Sequence, residues 1–196
     1  MTPGTILLLN GASSSGKSSI MAVLQDILDA PFLDAGLDKF IWMLPGRYLN
    51  RPLWDDVLGL ATAAGAVGRP LLSGMHRAIA ALAWAGNCVL ADHVLVEKEW
   101  VGECAELFCE LPAYFIGVYC PLAVLEEREA ARRDRTLGQA RAQFPLVHAA
   151  GVYDLLVDTS VHSAEACARQ IQARLTSGTP PQAFRQIRRQ RARQPD

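Results

Sequence analysis

The sequence predicts an α/β domain, a parallel sheet with helices on both faces. Short apolar runs of strand character alternate along the chain with segments of helical period. A glycine- and serine-rich turn ending in Gly16-Lys17-Ser18 joins the first such run to the first such segment. The length, 196 residues, suits one domain of this class.

Thr5–Leu9 is apolar and β-compatible, and it ends at Asn10. Lys17–Leu28 places Ile20, Val23, Leu24, Ile27 and Leu28 on one helical face. Pro31-Phe32-Leu33 reads as a short second strand, and Asp38–Leu44 as a helix stopped by Pro45. Arg47–Pro70 is punctuated by Pro and Gly and shows no clear period. Leu71–Ala85 is Ala-rich and helical, with Gly86 as its stop. Cys88–Ala91 is a buried-strand run, Lys98–Leu107 a helix, and Tyr114–Tyr119 a strand. Pro121–Arg133 begins with proline where a helix tolerates it. Gly138–His148 is helical in pattern despite Pro145; Leu155–Asp158 is a strand and Ser163–Leu175 the helix after it. This organises residues 1–176 as one domain. Residues 177–196 hold Pro180-Pro181, few apolar side chains and five arginines, and read as a basic, flexible tail.

Composition is globular: 51% hydrophobic and 20% charged, with a formal net charge of −1. That charge is a sum of unlike parts. Arg185, Arg188, Arg189, Arg191 and Arg193 against Asp196 give the tail +4, which leaves −5 on residues 1–176. An acidic body argues against nucleic acid as a partner, and only the tail could act as a tether to one or to a membrane surface. No apolar run reaches the ~18 residues of a membrane span, and the N-terminus lacks the basic region of a signal peptide. An odd set of five cysteines without CxxC reads as reduced thiols, so a cytoplasmic location is expected.

Gly11-Ala12-Ser13-Ser14-Ser15-Gly16-Lys17-Ser18 fits the phosphate-loop pattern GxxxxGK[ST] in full. Glycines at both ends let the backbone aim successive N–H groups at phosphate oxygens. The following helix adds its N-terminal amides and dipole. Lys17 can reach the outer phosphates, and the Ser18 hydroxyl can hold Mg²⁺. Only three lysines occur, Lys17, Lys39 and Lys98, and one fills the required position. Gly11 through Ser19 are therefore the nucleotide-binding candidates; a Gly/Ser turn with a solvated lysine is the plain alternative.

No NKxD motif reads guanine, which turns the argument from small GTPases toward small-molecule or nucleotide kinases. Such an enzyme needs a carboxylate for the acceptor hydroxyl, an acid near the metal, and cations over the phosphoryl group. Asp38 follows the second strand and serves either as that carboxylate or as a helix cap. Asp92 ends a parallel strand on the ligand side of the sheet and is either a candidate Mg²⁺ residue through water or a plain strand-ending turn aspartate. His93 beside it is either a further acid–base group or a structural hydrogen-bonder. Arg128-Glu129-Ala130-Ala131-Arg132-Arg133-Asp134-Arg135 precedes Thr136-Leu137-Gly138, where a lid could hinge. A continued helix would place Arg128, Arg132 and Arg135 on one side. The bland alternative is a solvated face paired with Glu126, Glu127 and Asp134. Asp158-Thr159-Ser160 is either a loop over the adenine or the lead-in to a helix cap, and His148 and Tyr153 could wall the substrate.

Taken together these motifs resemble the chloramphenicol phosphotransferase family of P-loop kinases. The resemblance is carried by the phosphate loop with Asn10, by Gly36-Leu37-Asp38 with Met43-Leu44-Pro45, and by Ala91-Asp92-His93-Val94. It continues through the Arg128–Arg135 run, Val147-His148, Gly151-Val152-Tyr153-Asp154 and Val157-Asp158-Thr159, in family order over about 5–176. The resemblance implies a five-stranded parallel sheet of order 2-3-1-4-5, with helices on both faces and an Arg-rich lid. It also implies transfer of phosphate from ATP, with Mg²⁺, to a hydroxyl of a small molecule; in the namesake this is a primary hydroxyl of chloramphenicol. On it Asp38 matches the proposed general base, and Arg132 and Arg135 match lid arginines. The catalytic candidates are thus Asp38, Lys17, Arg132 and Arg135, with Arg128 among the nucleotide-binding ones. Ala91-Asp92 departs from the paired acids of the namesake. The Arg47–Pro70 segment, with Arg47, Tyr48, Trp54 and Asp55, also departs, and acceptor specificity is expected there. A nucleoside or metabolite kinase and a non-catalytic ATP-binding module stay open as alternatives, and oligomeric state is not legible.

Overall fold

Ile6, Leu7, Leu8 and Leu9 are all wholly buried, so neither face of this run touches water. Only a central strand of a parallel sheet covered on both sides meets that condition. In the computed structural model, which describes residues 2–49, 65–132 and 137–193, this run is β1 (Ile6–Asn10). The other strands are β2 (Phe32–Asp34), β3 (Cys88–His93), β4 (Ala113–Tyr119) and β5 (Leu155–Asp158). The sheet has five parallel strands in the order β2-β3-β1-β4-β5, the expected arrangement. Asn10 stands opposite His93 on one side and Gly117 on the other, so the carboxyl ends of the central strands open together.

The period-two pattern divides the core. Leu7, Leu9, Leu90, Ile116, Val118 and Val157 face α1 (Lys17–Ile27), which supplies Ile20, Met21 and Leu24. The helix Ala164–Thr176, labelled α7 below, packs on α1 and buries Cys167, Ala168 and Ile171. On the other face Ile6, Leu8, Val89, Ala91 and Phe115 meet α2 (Leu37–Ile41), α3 (Gly68–Trp84) and α4 (Lys98–Phe108). Two further helices, α5 (Leu122–Ala131) and α6 (Gln139–Val147), pack on each other around Leu125, Ala140 and Val147. Among the described residues no helix is long and apolar enough to cross a membrane, and all five cysteines are free thiols.

The expectation of a flexible tail is corrected over residues 183–193. They form α8 (Ala183–Arg193), packed against α4 and β4. Ala183, Phe184 and Ile187 are an i, i+1, i+4 stripe, and all three are buried. Phe184 stacks on Phe115 at 4.8 Å and meets Phe108 edge-on at 5.4 Å. Asp154 caps the helix: its Oδ1 accepts the N–H groups of Gln182 at 2.6 Å and Ala183 at 3.2 Å. Arg185 donates to the Cys109 carbonyl at 2.8 Å, and Arg188 pairs with Glu106 at 2.9 Å. The stripe was visible but sparse, and what orders it is a core surface more than sixty residues away in sequence. Phe184→Ala is expected to cost about 3–5 kcal/mol of stability, as emptied aromatic core sites do, and urea denaturation measures it.

Smaller corrections concern where elements end. The helix expected over Asp38–Leu44 is the short α2, with Gly36 rather than Asp38 as its N-cap. Strand β3 continues through Asp92 and His93 instead of stopping before them. Helix α5 ends at Ala131, and Arg132 has extended backbone (φ −91°, ψ 125°). The single helical side proposed for Arg128, Arg132 and Arg135 therefore breaks at Arg132. Arg133, Asp134, Arg135, Trp54 and Asp55 lie outside the described residues.

Candidate active site

The phosphate loop leaves β1 where chain connections diverge to the two sides of the sheet, the place where open α/β sheets bind ligands. Its shape follows from its residues. Gly16 has φ 92°, a left-handed value natural to glycine, and Ser14 adopts φ 65°. A Cβ on Gly11 would lie 2.5 Å from the Val118 carbonyl oxygen, so no larger residue fits. Lys17 is buried and folds over the loop, donating to the carbonyls of Gly11 at 2.8 Å and Ala12 at 2.9 Å. Buried hydroxyls at Ser13, Ser14 and Ser15 have no hydrogen-bond partner among the described residues. Orphaned hydroxyls are costly unless something polar meets them, and a phosphate in the loop would do so. The loop thus fits a nucleotide polyphosphate.

A cavity of about 560 Å³ brings most of the sequence candidates together. Ser13 to Ser19 form its floor, with Asp38, Asp92, Arg128 and Arg132 around it and Leu37, Ile41 and Val94 as apolar lining. Gly11 and Ala12 hold the loop from beneath rather than lining the space. Asp38 is exposed, in the first turn of α2, and its helix-cap alternative falls because Gly36 takes that position. Asp92 accepts the Leu37 backbone N–H. Burial pushes the Asp92 carboxyl up, the Lys17 ammonium opposes this, and the Asp38 and Asp34 charges add to the rise. Gly36 lies close against it, since a Cβ there would stand 2.5 Å from Asp92 Oδ1. Among the described residues no group of three or more His, Cys, Asp or Glu side chains forms a metal cluster. Among the oxygen donors lining the cavity, the Ser18 hydroxyl and the Asp92 carboxylate are the pair that would suit a Mg²⁺ bound mainly by phosphate and water.

The stems of the arginine segment are anchored by residues that no motif singled out. Buried Glu129 on α5 accepts the N–H groups of Gly138 at 2.7 Å and Ala140 at 2.9 Å, capping α6. Gln143 on α6 accepts the Ser13 N–H at 2.7 Å. Glu126 pairs with Arg141 of α6, and the solvated-face alternative for Arg133 to Arg135 falls outside the described residues. Asn10 accepts the Leu95 N–H at 2.8 Å and donates to the Val147 carbonyl at 2.7 Å and Tyr153 Oη at 2.9 Å. Tyr153 and His148, 2.8 Å apart, belong to this brace and do not line the cavity. Burial raises the Tyr153 hydroxyl to about 12. Asp158 Oδ1 accepts the Ser160 N–H at 2.8 Å, while Ser163 caps α7, so the cap belongs to Ser163 and Thr159 is left facing the cavity.

His93 takes the structural alternative. Its Nδ1 accepts the Val94 N–H at 2.8 Å, so Nε2 carries the proton and donates to His76 Nε2 at 3.1 Å. His76 then donates from Nδ1 to Glu103 at 2.8 Å. Burial lowers His93 well below the ordinary histidine value, with the His76 charge adding to it. Burial also lowers His76, against the pull of Glu103. Both rings are therefore neutral in the fold, and the unfolded chain takes up protons first. Their contribution to stability is complete above about pH 6.5 and declines as the pH falls through that value. Urea midpoints from about pH 8 to about pH 5.5 are expected to fall, and the gap to His93→Gln to narrow with them.

The comparisons agree with this geometry. A Mycobacterium tuberculosis (strain ATCC 25618 / H37Rv) protein named "Putative O-phosphotransferase Rv2636" is 31% identical over 202 residues, spanning 96% of this chain and 90% of that one. A sugar kinase from Janibacter sp. HTCC2649 superposes with a TM-score of 0.65 at 17% identity, over 88% of this chain and 94% of its own. Shikimate kinase from Acinetobacter baumannii does so with 0.58 at 16%, over 91% and 96%. These solved structures establish the kinase fold. The model of the family described as chloramphenicol phosphotransferase-like protein matches residues 4–176, the phosphate loop and the whole sheet included, and the chain belongs to that family.

Proposed function

We propose that the protein transfers the terminal phosphoryl group of ATP to a hydroxyl of a small molecule, with Mg²⁺. The observation that carries this is one cavity lined by both the phosphate loop and Asp38. Backbone amides of the loop and the N-terminus of α1 hold the polyphosphate. Lys17 would reach from the loop carbonyls toward the outer phosphates, and Ser18, with Asp92 through water, would hold the metal. Mg²⁺ supplies charge neutralisation between the phosphates. Asp38, exposed in the first turn of α2 and lining the cavity, orients the acceptor hydroxyl and takes its proton. Arg132, at the extended end of α5 and lining the cavity, would steady the transferring group, and Arg135 would share that role on the family resemblance alone.

Antibiotic hydroxyls are the first acceptors to test, because the family is named for one. The decisive experiment follows ADP release across a panel of phenicols and cellular hydroxyl compounds. An acceptor that stimulates release, with a phosphorylated product by mass spectrometry, supports the reading. Slow hydrolysis unaffected by every acceptor would make the protein a nucleotide-binding module instead.

A further inference from the structure

Two side chains outside the phosphate-loop motif hold its peptide groups in place. Thr159, in the turn after β5, donates its hydroxyl to the Ser15 carbonyl at 2.8 Å. Arg128 of α5 grips this threonine, donating from Nη1 to its Oγ1 at 3.0 Å and from Nη2 to its carbonyl oxygen at 2.8 Å. At the other side of the loop, Gln143 of α6 accepts the Ser13 N–H at 2.7 Å. Gln143 is wholly buried and Thr159 nearly so.

The planar peptide group makes these contacts consequential. The Ser15 carbonyl and the Gly16 N–H belong to one plane and point in opposite directions, so fixing the carbonyl fixes where that N–H points. The Ala12–Ser13 peptide is held from both ends: Gln143 takes its N–H, while Lys17 at 2.9 Å and the Ser15 N–H at 3.2 Å take its carbonyl. A glycine-bounded loop left to itself samples many orientations, and each must be frozen when an anion binds. Here the freezing is done beforehand, by Thr159 held by Arg128 of α5 and by Gln143 of α6.

We propose that Thr159, gripped by Arg128, and Gln143 are positioning residues that preorganise the phosphate loop for ATP. The inference rests on the ATP-binding reading above. It assigns Arg128 an indirect role in nucleotide binding, through Thr159. It also makes the stems of the arginine segment part of the nucleotide site, so that a shift of α5 or α6 changes the aim of the loop amides.

Calorimetric titration of the full chain with ATP and Mg²⁺ tests this. Thr159→Val keeps the side-chain shape and removes the hydroxyl; its ATP dissociation constant is expected to rise about tenfold, the effect of one buried hydrogen bond. Thr159→Ser, which restores the donor, recovers most of that loss, and Gln143→Leu weakens ATP in the same direction. The acceptor KM at saturating ATP stays within about twofold, a split that general destabilisation would not produce. Wild-type ATP affinity in folded Thr159→Val, or a Thr159→Ser as weak as Thr159→Val, overturns the inference alone. If Thr159→Val does not fold, Gln143→Leu decides by the same measurement. Failure of the unmodified protein to bind ATP overturns the inference together with the reading beneath it.

Discussion

Turnover is expected to fall at least ~100-fold when Lys17 is replaced by alanine, the usual scale for losing one preorganised charge from a phosphoryl-transfer site. The Lys17 ammonium is already desolvated, held against the carbonyls of Gly11 and Ala12 on the floor of the cavity. A charge in that position acts strongly on developing negative charge because little water screens it. It also has a second duty. Lys17 is the cation that counters the buried Asp92 carboxyl, so its removal lets that carboxyl rise further. The variant should fold, because the Ala12 carbonyl keeps the Ser15 N–H at 3.2 Å. Steady-state kinetics beside a thermal melt separate the two effects: kcat collapses while the melting midpoint moves little. Near-normal turnover in a folded Lys17→Ala protein would remove the kinase assignment.

Asp38→Asn is expected to lower kcat by a similar factor, at least ~100-fold, for a different reason. Asparagine preserves the shape of the first turn of α2 but accepts no proton. It also removes a negative charge that raises Asp92, so the metal-side carboxylate ionises more readily in the variant. The loss therefore falls on transfer and not on nucleotide binding, and the KM for ATP stays close to normal. A pre-steady-state measurement of phosphoryl transfer checks the point directly. An Asp38→Asn enzyme with full activity would move the base elsewhere and leave the phosphate loop intact.

Legibility differed between the parts of the site for identifiable reasons. Lys17 and Ser18 could be read directly because their chemistry depends on neighbours within a few positions, and spacing alone places them at a helix N-terminus. Asp38 was ambiguous. Aspartate near a helix start serves equally well as a cap, and only the position of Gly36 as N-cap separated the two. The arginine run was legible as a cationic segment, but the helical spacing used to align Arg128, Arg132 and Arg135 failed where α5 ends. His93 gave no local sign of its role, since the proton order along His93, His76 and Glu103 depends on three separate elements. Gln143 was invisible for the same reason: a glutamine on an amphipathic helix is ordinarily solvent-facing, and its partner is 130 positions away.

By itself the sequence determined the alternation of strands and helices, the parallel sheet, and the phosphate loop at the first strand–helix junction. Each of these follows from periodicity, composition or the backbone freedom of glycine over a short window. Only the tertiary structure decided that residues 183–193 are a docked helix, that β3 carries Asp92 and His93 within the sheet, and that Arg128 acts on Thr159. These outcomes depend on which distant surface a side chain meets. The Phe184 ring has no helix to stabilise until Phe115 and Phe108 are in place beneath it, and no local pattern encodes that encounter.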